Sequence, residues 1–239
     1  MGHLMRHWLW FCLCIFSVTP LAATRFDVLA VEYPPFTTSK MADGGLAFQV
    51  LRQAFPDYRF KPMFVPPKRA YTMMQQGHWC LSFYPSPAGM PSNKIVLSEH
   101  QIVIGVIRLR QDSPLKWQQL SEFSGLRVAL LRSGDNSPFA TQFTQAGLQI
   151  TYTETTQQSL DLLLRKRVDL AMYDDYNFNK LPTKTRDLLQ FSDNHLLQTP
   201  VTLFTNPSCN DPLPKAVSPQ TLPAALGPAN RRQQQPHSL

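Results

Sequence analysis

The sequence is poor in the residues from which function is usually assigned directly. Of 239 residues, four are cysteine and six are histidine, and only 16% are charged. Cys12 and Cys14 fall in the amino-terminal apolar stretch, which leaves Cys80 and Cys209 as an even pair. The histidines are dispersed, and His3, His7 and His237 lie close to the two ends, so no metal-ligand cluster forms. There is no Gly-x-Ser-x-Gly elbow and no phosphate-binding loop, which removes the commonest hydrolase and nucleotide-binding signatures. Beyond the amino-terminal stretch no apolar run is long enough for a membrane span. Lys and Arg outnumber Asp and Glu by 23 to 16, a formal charge of +7 with a pI near 9.4. These cations are scattered, without a basic run or an interleaved aromatic stripe, so nucleic acid is not an expected partner.

What is present starts with a leader. Arg6 and nearby histidines precede an apolar stretch from Trp8 to Val18, and Leu21-Ala22-Ala23 ends it in small residues. That is the layout of a secretory signal peptide, with cleavage expected after Ala23, since the apolar run is short for an anchor. Neither Cys12 nor Cys14 stands in a lipobox-like context. In an oxidising compartment Cys80 and Cys209 are a disulfide candidate, with two buried thiols as the alternative. The remaining length suffices for two lobes of roughly 100 residues each.

The chain is organised around residues 28–55. Val28 to Val31 is a short apolar run of the buried-strand kind. It breaks at Glu32-Tyr33-Pro34-Pro35-Phe36, where two prolines bar both helix and ladder. Tyr33 and Phe36 therefore belong to an irregular loop at a strand's carboxyl end, where open α/β sheets bind ligands. Gly44-Gly45 then lead into a helix with Ala47, Val50, Leu51 and Ala54 on one face. A second strand spans Tyr58 to Val65, and Pro66 to Gly77 is a helix opened by proline and closed by glycine, with Ala70, Met73 and Met74 inward. Trp79 to Tyr84 is a third strand with its loop, and Gln101 to Ile107 a continuous apolar strand. Leu126 to Leu131 is another strand, followed by Arg132 to Pro138, a turn that caps a helix through Ser137 or Asn136. Free N–H groups there suit an anionic ligand group, or simply make a capped turn. Leu148 to Tyr152 is a strand, and residues 156–167 form an amphipathic helix burying Leu160, Leu163 and Leu164. Leu196 to Thr205 returns to the first lobe, and 207–239 is Pro-rich and expected to be disordered.

This order of parts resembles the periplasmic solute-binding proteins of family 3, the amino-acid ABC-transporter type, over residues 26 to about 205. The strand leading into a Tyr-x-Pro-Phe-like loop, the Arg69-Ala70 pair, the Trp117 to Val128 stretch and Arg167-Val168-Asp169 with Asp174 carry the likeness. Gln49 stands at the family's Asp, Pro67 at a common Trp and Lys166 at a Gly. The Arg that grips a ligand's carboxylate as a fork is absent, Pro91 occupying its place with only Lys94 nearby. One subset of the family has a cysteine at the position of Cys80 and another late in the chain, which favours the disulfide.

The resemblance implies an α/β, type 2, two-lobe periplasmic-binding-protein-like fold with two hinge crossings. Lobe one would hold residues 24–103 and about 201–206, and lobe two 104–200. It implies a non-catalytic, monomeric periplasmic protein that closes over a small polar solute, without cofactor or metal, for an inner-membrane permease or a sensor. The implied ligand contacts are Tyr33, Phe36, Ser82 and Arg69 from lobe one, and Ser133, Asn136 and Asp174 from lobe two. Asp174 would receive an ammonium and Asp175 would cap the following helix. Two alternatives stand beside this reading. One is a dehydratase-like enzyme on the same scaffold, for which Glu32 and Asp174 are the plausible carboxylates. The other is a remnant that no longer binds.

Overall fold

The computed structural model describes residues 25–87, 89–132, 138–209, 213 and 217–220. Strand β1 (Arg25–Ala30) is apolar on both faces, with Val28 and Ala30 in one core and Leu29 in another. A strand buried on both sides must be flanked and covered. It runs parallel to β2 (Arg59–Phe64) on one side and to β3 (Leu81–Ser82) on the other. Helix α1 (Leu46–Ala54) covers one face through Phe48, Val50 and Leu51, and α2 (Pro67–Gln75) covers the other through Ala70 and Met74. These elements make lobe one.

Strand β4 (Asn93–Leu109) carries the chain out of it. Its Ile95 and Leu97 belong to the lobe-one core, whereas Val106 and Ile107 belong to two further cores on opposite faces of the next sheet. That second sheet contains β5 (Arg127–Leu131), β6 (Gln149–Thr153) and β7 (Leu170–Asp174), in the parallel order β7-β5-β6. Helix α3 (Pro138–Gln145) lies between β5 and β6 in the chain, and α4 (Thr156–Leu164) packs Leu160 and Leu163 against the face opposite Val128 and Leu130. Two short helices, α5 (Asp175–Lys180) and α6 (Thr183–Arg186), lead to β8 (Leu189–Phe191), which pairs with β4. Strand β9 (Leu197–Thr205) then returns antiparallel to β4 and reaches β3.

The result is a curled sheet, β2-β1-β3-β9-β4-β7-β5-β6, whose two middle strands belong to both lobes. The β4–β9 ladder shifts register between Val96 and Gln101, and Ser98 repairs it. Its Oγ accepts the Val201 N–H at 2.8 Å and donates to the His100 carbonyl at 2.8 Å, satisfying groups that the irregularity would orphan.

Three sequence expectations need correction. Helix α4 ends at Leu164 rather than running to residue 167, because Lys166 adopts φ 56° and closes a two-bond helix stop: Arg167 N–H to Leu162 O and Lys166 N–H to Leu163 O, both 2.9 Å. Leu164 is accordingly only half-buried. The segment after residue 206 is not uniformly detached. Cys209 is bonded to Cys80, Leu213 is 5% exposed within the lobe-one core, and Gln220 exchanges backbone hydrogen bonds with Leu97 and Glu99 beside the β4 irregularity. Single apolar and backbone anchors hold it, which no periodic pattern would reveal. Val217 packs against the same core, and residues 210–212, 214–216 and 221–239 lie outside the described ones.

Candidate functional site

The loop that carries Tyr33 and Phe36 is built onto the start of α1. Leu46 and Ala47 donate their N–H groups to the Pro35 and Phe36 carbonyls at 2.9 and 2.8 Å, so the loop caps the helix with its own backbone. This close approach requires glycine at the N-cap. Gly45 has φ 101°, and a Cβ there would lie 2.6 Å from the Phe36 oxygen. The loop closes on itself through Phe36 N–H to Tyr33 O (3.0 Å) and Tyr33 N–H to Thr37 O (2.7 Å), around a cis Pro34–Pro35 peptide. Gln49, at the position where the family resemblance expects Asp, donates to Asp43 Oδ2 at 2.6 Å, and Asp43 Oδ1 accepts the Gly45 N–H. That hydrogen bonding holds the Asp43 carboxyl below the ordinary carboxylate range, the Gln49 contact contributing most.

Phe36 is 4% exposed and stands between two rings, Tyr33 at 5.9 Å and Tyr176 of lobe two at 5.4 Å, edge-on to the latter. The Tyr33 hydroxyl crosses to the other lobe and donates to Asp174 Oδ2 at 2.8 Å. Asn177 adds a second crossing, its Nδ2 donating to the Pro34 carbonyl at 3.0 Å. Burial pushes the Tyr33 phenol well above its usual range, and the adjacent Asp174 charge adds to this.

Asp174 is the last residue of β7 and fully buried, at 0% exposure. It is also the N-cap of α5, accepting the Asn177 N–H at 2.8 Å on Oδ1 and Asn177 Nδ2 at 2.8 Å on Oδ2. The cap is therefore Asp174 and not Asp175, whose Oδ1 instead accepts the Val103 N–H of β4 at 3.1 Å. The extended backbone that an N-cap requires falls on the residue that ends the strand, which puts Asp174 there and Asp175 inside the helix. Burial drives the Asp174 carboxyl upward against the pull of its hydrogen bonds. Asp175 is likewise raised, mainly by burial.

Of the residues singled out from sequence, the structure thus brings Tyr33, Phe36 and Asp174 together. Ser82 sits at the end of β3, adjacent in the sheet to Leu29, fully buried, with its hydroxyl donated to the Tyr84 carbonyl at 2.7 Å. Arg69 is exposed on α2. Ser133 and Asn136 lie outside the described residues, directly after β5. Sequence reasoning missed Asn177 and Tyr176. The signal was slight: an aromatic and a polar residue in the first turn of a short helix, just after an acidic pair. Glu32 is engaged within its own loop and not with Asp174. Its Oε1 accepts the Ser39 N–H at 2.8 Å, and although burial raises its proton affinity, the Ser39 and Thr38 hydrogen bonds outweigh that and lower it. Among the described residues no group of three or more His, Cys, Asp or Glu is placed to hold a metal, and no helix is long and apolar enough to cross a membrane.

No protein-family model matches the chain, and no curated protein matches it. Solved structures do. The GluR0 ligand-binding core in complex with L-glutamate aligns with a TM-score of 0.60 at 16% identity, over 79% of this chain and 87% of that one. An arginine-bound ArgBP mutant from T. maritima gives a TM-score of 0.55 at 12% identity, over 77% and 88%. The VFT2 domain of Bordetella pertussis BvgS gives 0.51 at 12%, over 76% and 80%. At such identities the likeness concerns the fold. The chain has the two-lobe, periplasmic-binding-protein-like α/β fold, with β4 and β9 as its two crossings.

Proposed function

We propose that the chain is a non-catalytic solute-binding protein of the family-3 type. It is exported by its leader and closes its two lobes over a small polar solute for an inner-membrane permease or a sensor. The observation that carries this reading is the Tyr33–Asp174 hydrogen bond, which joins the carboxyl end of β1 in one lobe to the carboxyl end of β7 in the other. Strand ends facing each other across a crossing are where such folds enclose ligands. Similarity to chains solved with L-glutamate and with arginine supports a solute of that size. The proposed walls are Tyr33 and Phe36, with Ser82 behind them in lobe one and Arg69 at the rim. From lobe two the proposed contacts are Ser133 and Asn136, with Asp174 at the corner where the lobes meet. The enzymatic alternative draws no support from Glu32, which is engaged by Ser39 rather than aligned with a partner acid.

The test is calorimetric titration of the folded, disulfide-bonded protein with polar amino acids, amines, short peptides, hydroxy acids and dicarboxylates. Saturable one-to-one binding of any of them is the expected result. Silence across the panel rejects the reading.

A further inference from the structure

The junction between the lobes bears on what the site can accept, given the solute-binding reading above. Asp174 is the buried carboxylate at that junction, and an exposed or cavity-lining carboxylate there would be the natural receiver of an ammonium group. It is neither. Both of its oxygens are engaged, Oδ1 by the Asn177 N–H and Oδ2 by the Tyr33 hydroxyl and Asn177 Nδ2, each at 2.8 Å. The donors are themselves held: Asn177 Nδ2 also reaches the Pro34 carbonyl, and Tyr33 is fixed by a turn that caps α1. At 0% exposure, no water-sized space adjoins the Asp174 side chain. A solute atom could touch it only after a group packed around it moved, and on Oδ2 that means the Tyr33 hydroxyl or Asn177 Nδ2 giving up its bond. The rings that flank the junction, Tyr33, Phe36 and Tyr176, add stacking surface and no formal charge.

We infer that Asp174 clasps the lobes together and that the site takes a neutral or anionic solute carrying no ammonium group. The three neutral donors do the work of a cation at that corner, so a ligand that brings one gains nothing there and opens the clasp.

Matched probes test this on the intact protein: L-glutamate against glutarate and 2-hydroxyglutarate, L-serine against glycerate, and L-alanine against lactate. The expected result is that at least one amine-free member binds about tenfold or more tightly than its amino counterpart, the ratio a lost charged hydrogen bond produces. If in every pair that binds the amino member is as tight as its amine-free counterpart or tighter, the inference is overturned while the solute-binding reading stays intact. Silence from every probe here and in the wider panel removes that reading and the inference with it. A second measurement needs no ligand. Solution scattering of Tyr33→Phe and of Asn177→Ala, each without solute, is expected to show a larger radius of gyration than the parent protein, with circular dichroism unchanged. Dimensions equal to the parent's in both variants would show that the clasp holds nothing, and would overturn the inference.

Discussion

Lys166 is the one non-glycine among the described residues with a positive φ, at 56°, and the helix stop after α4 depends on that angle. A Cβ in the left-handed region costs about 1–2 kcal/mol. Glycine relieves it but loses up to about 1 kcal/mol through its freer unfolded chain. Lys166→Gly should therefore stabilise the protein by a net ~0.5–1 kcal/mol, visible as a higher urea midpoint with an unchanged slope. A lowered midpoint would mean that the lysine side chain contributes more than its backbone strain removes. The Tyr33–Asp174 pair gives a second residue-level test. Burial raises the folded pKa of Asp174 above its unfolded value, so this carboxyl's contribution to stability diminishes as pH rises between the two. The Tyr33 hydroxyl opposes that shift by favouring the charged form. Tyr33→Phe should thus cost about 1.5–3 kcal/mol at neutral pH, and progressively less as pH falls through the range where Asp174 takes up its proton. Denaturation at pH 7 and pH 4 separates the cases, because a loss of equal size at both would uncouple the phenol from the carboxylate.

At the scale of elements, the start of α1 shows how a loop and a helix specify one another. The helix has no side-chain cap, and the Pro35 and Phe36 carbonyls take its first N–H groups instead. Gly45→Ala would set a Cβ at φ 101° within 2.7 Å of both carbonyl oxygens, so the loop must move away. A loss of about 2–4 kcal/mol is expected, larger than for an ordinary loop glycine, together with altered near-ultraviolet dichroism from Tyr33 and Phe36. Much of this was legible in the sequence. The apolar run, the double proline and the double glycine announce strand, loop and helix in that order, because each acts through local backbone chemistry. What was not legible acts across the chain. Asp174 and Asp175 are chemically alike neighbours, and only the place where β7 ends decides which becomes the cap and which reaches Val103. Asn177 gains its importance from Pro34, 143 positions away, and nothing in its surroundings in the sequence points there. Leu213 and Gln220 anchor the carboxyl-terminal segment one at a time among prolines, without the periodicity that makes a helix readable.

At the scale of the molecule, the disulfide and the lobes predict how the fold comes apart. The lobe-one cores draw on strands β1 to β3 and on the ends of β4 and β9 nearest them, whereas the lobe-two cores are made by residues from Ile104 to Leu196. The Cys80–Cys209 bond closes a separation of 129 residues, yet both its ends lie against β3 and β9 of lobe one. By loop length such a bond is worth about 2–5 kcal/mol, and that stabilisation should fall on the lobe that contains it. Reduction therefore should not lower stability evenly. Backbone amides of β1 and β3 are expected to lose protection from hydrogen exchange by a factor of about 30 or more, while those of β5 and β7 keep most of theirs. Cys209→Ser should reproduce the pattern without reductant. Removal of everything after Thr205 should exceed it, since Leu213 then leaves the lobe-one core as well. Uniform loss of protection in both lobes would instead mean that β4 and β9 couple them into one cooperative unit, and that the crossings transmit stability rather than separating it.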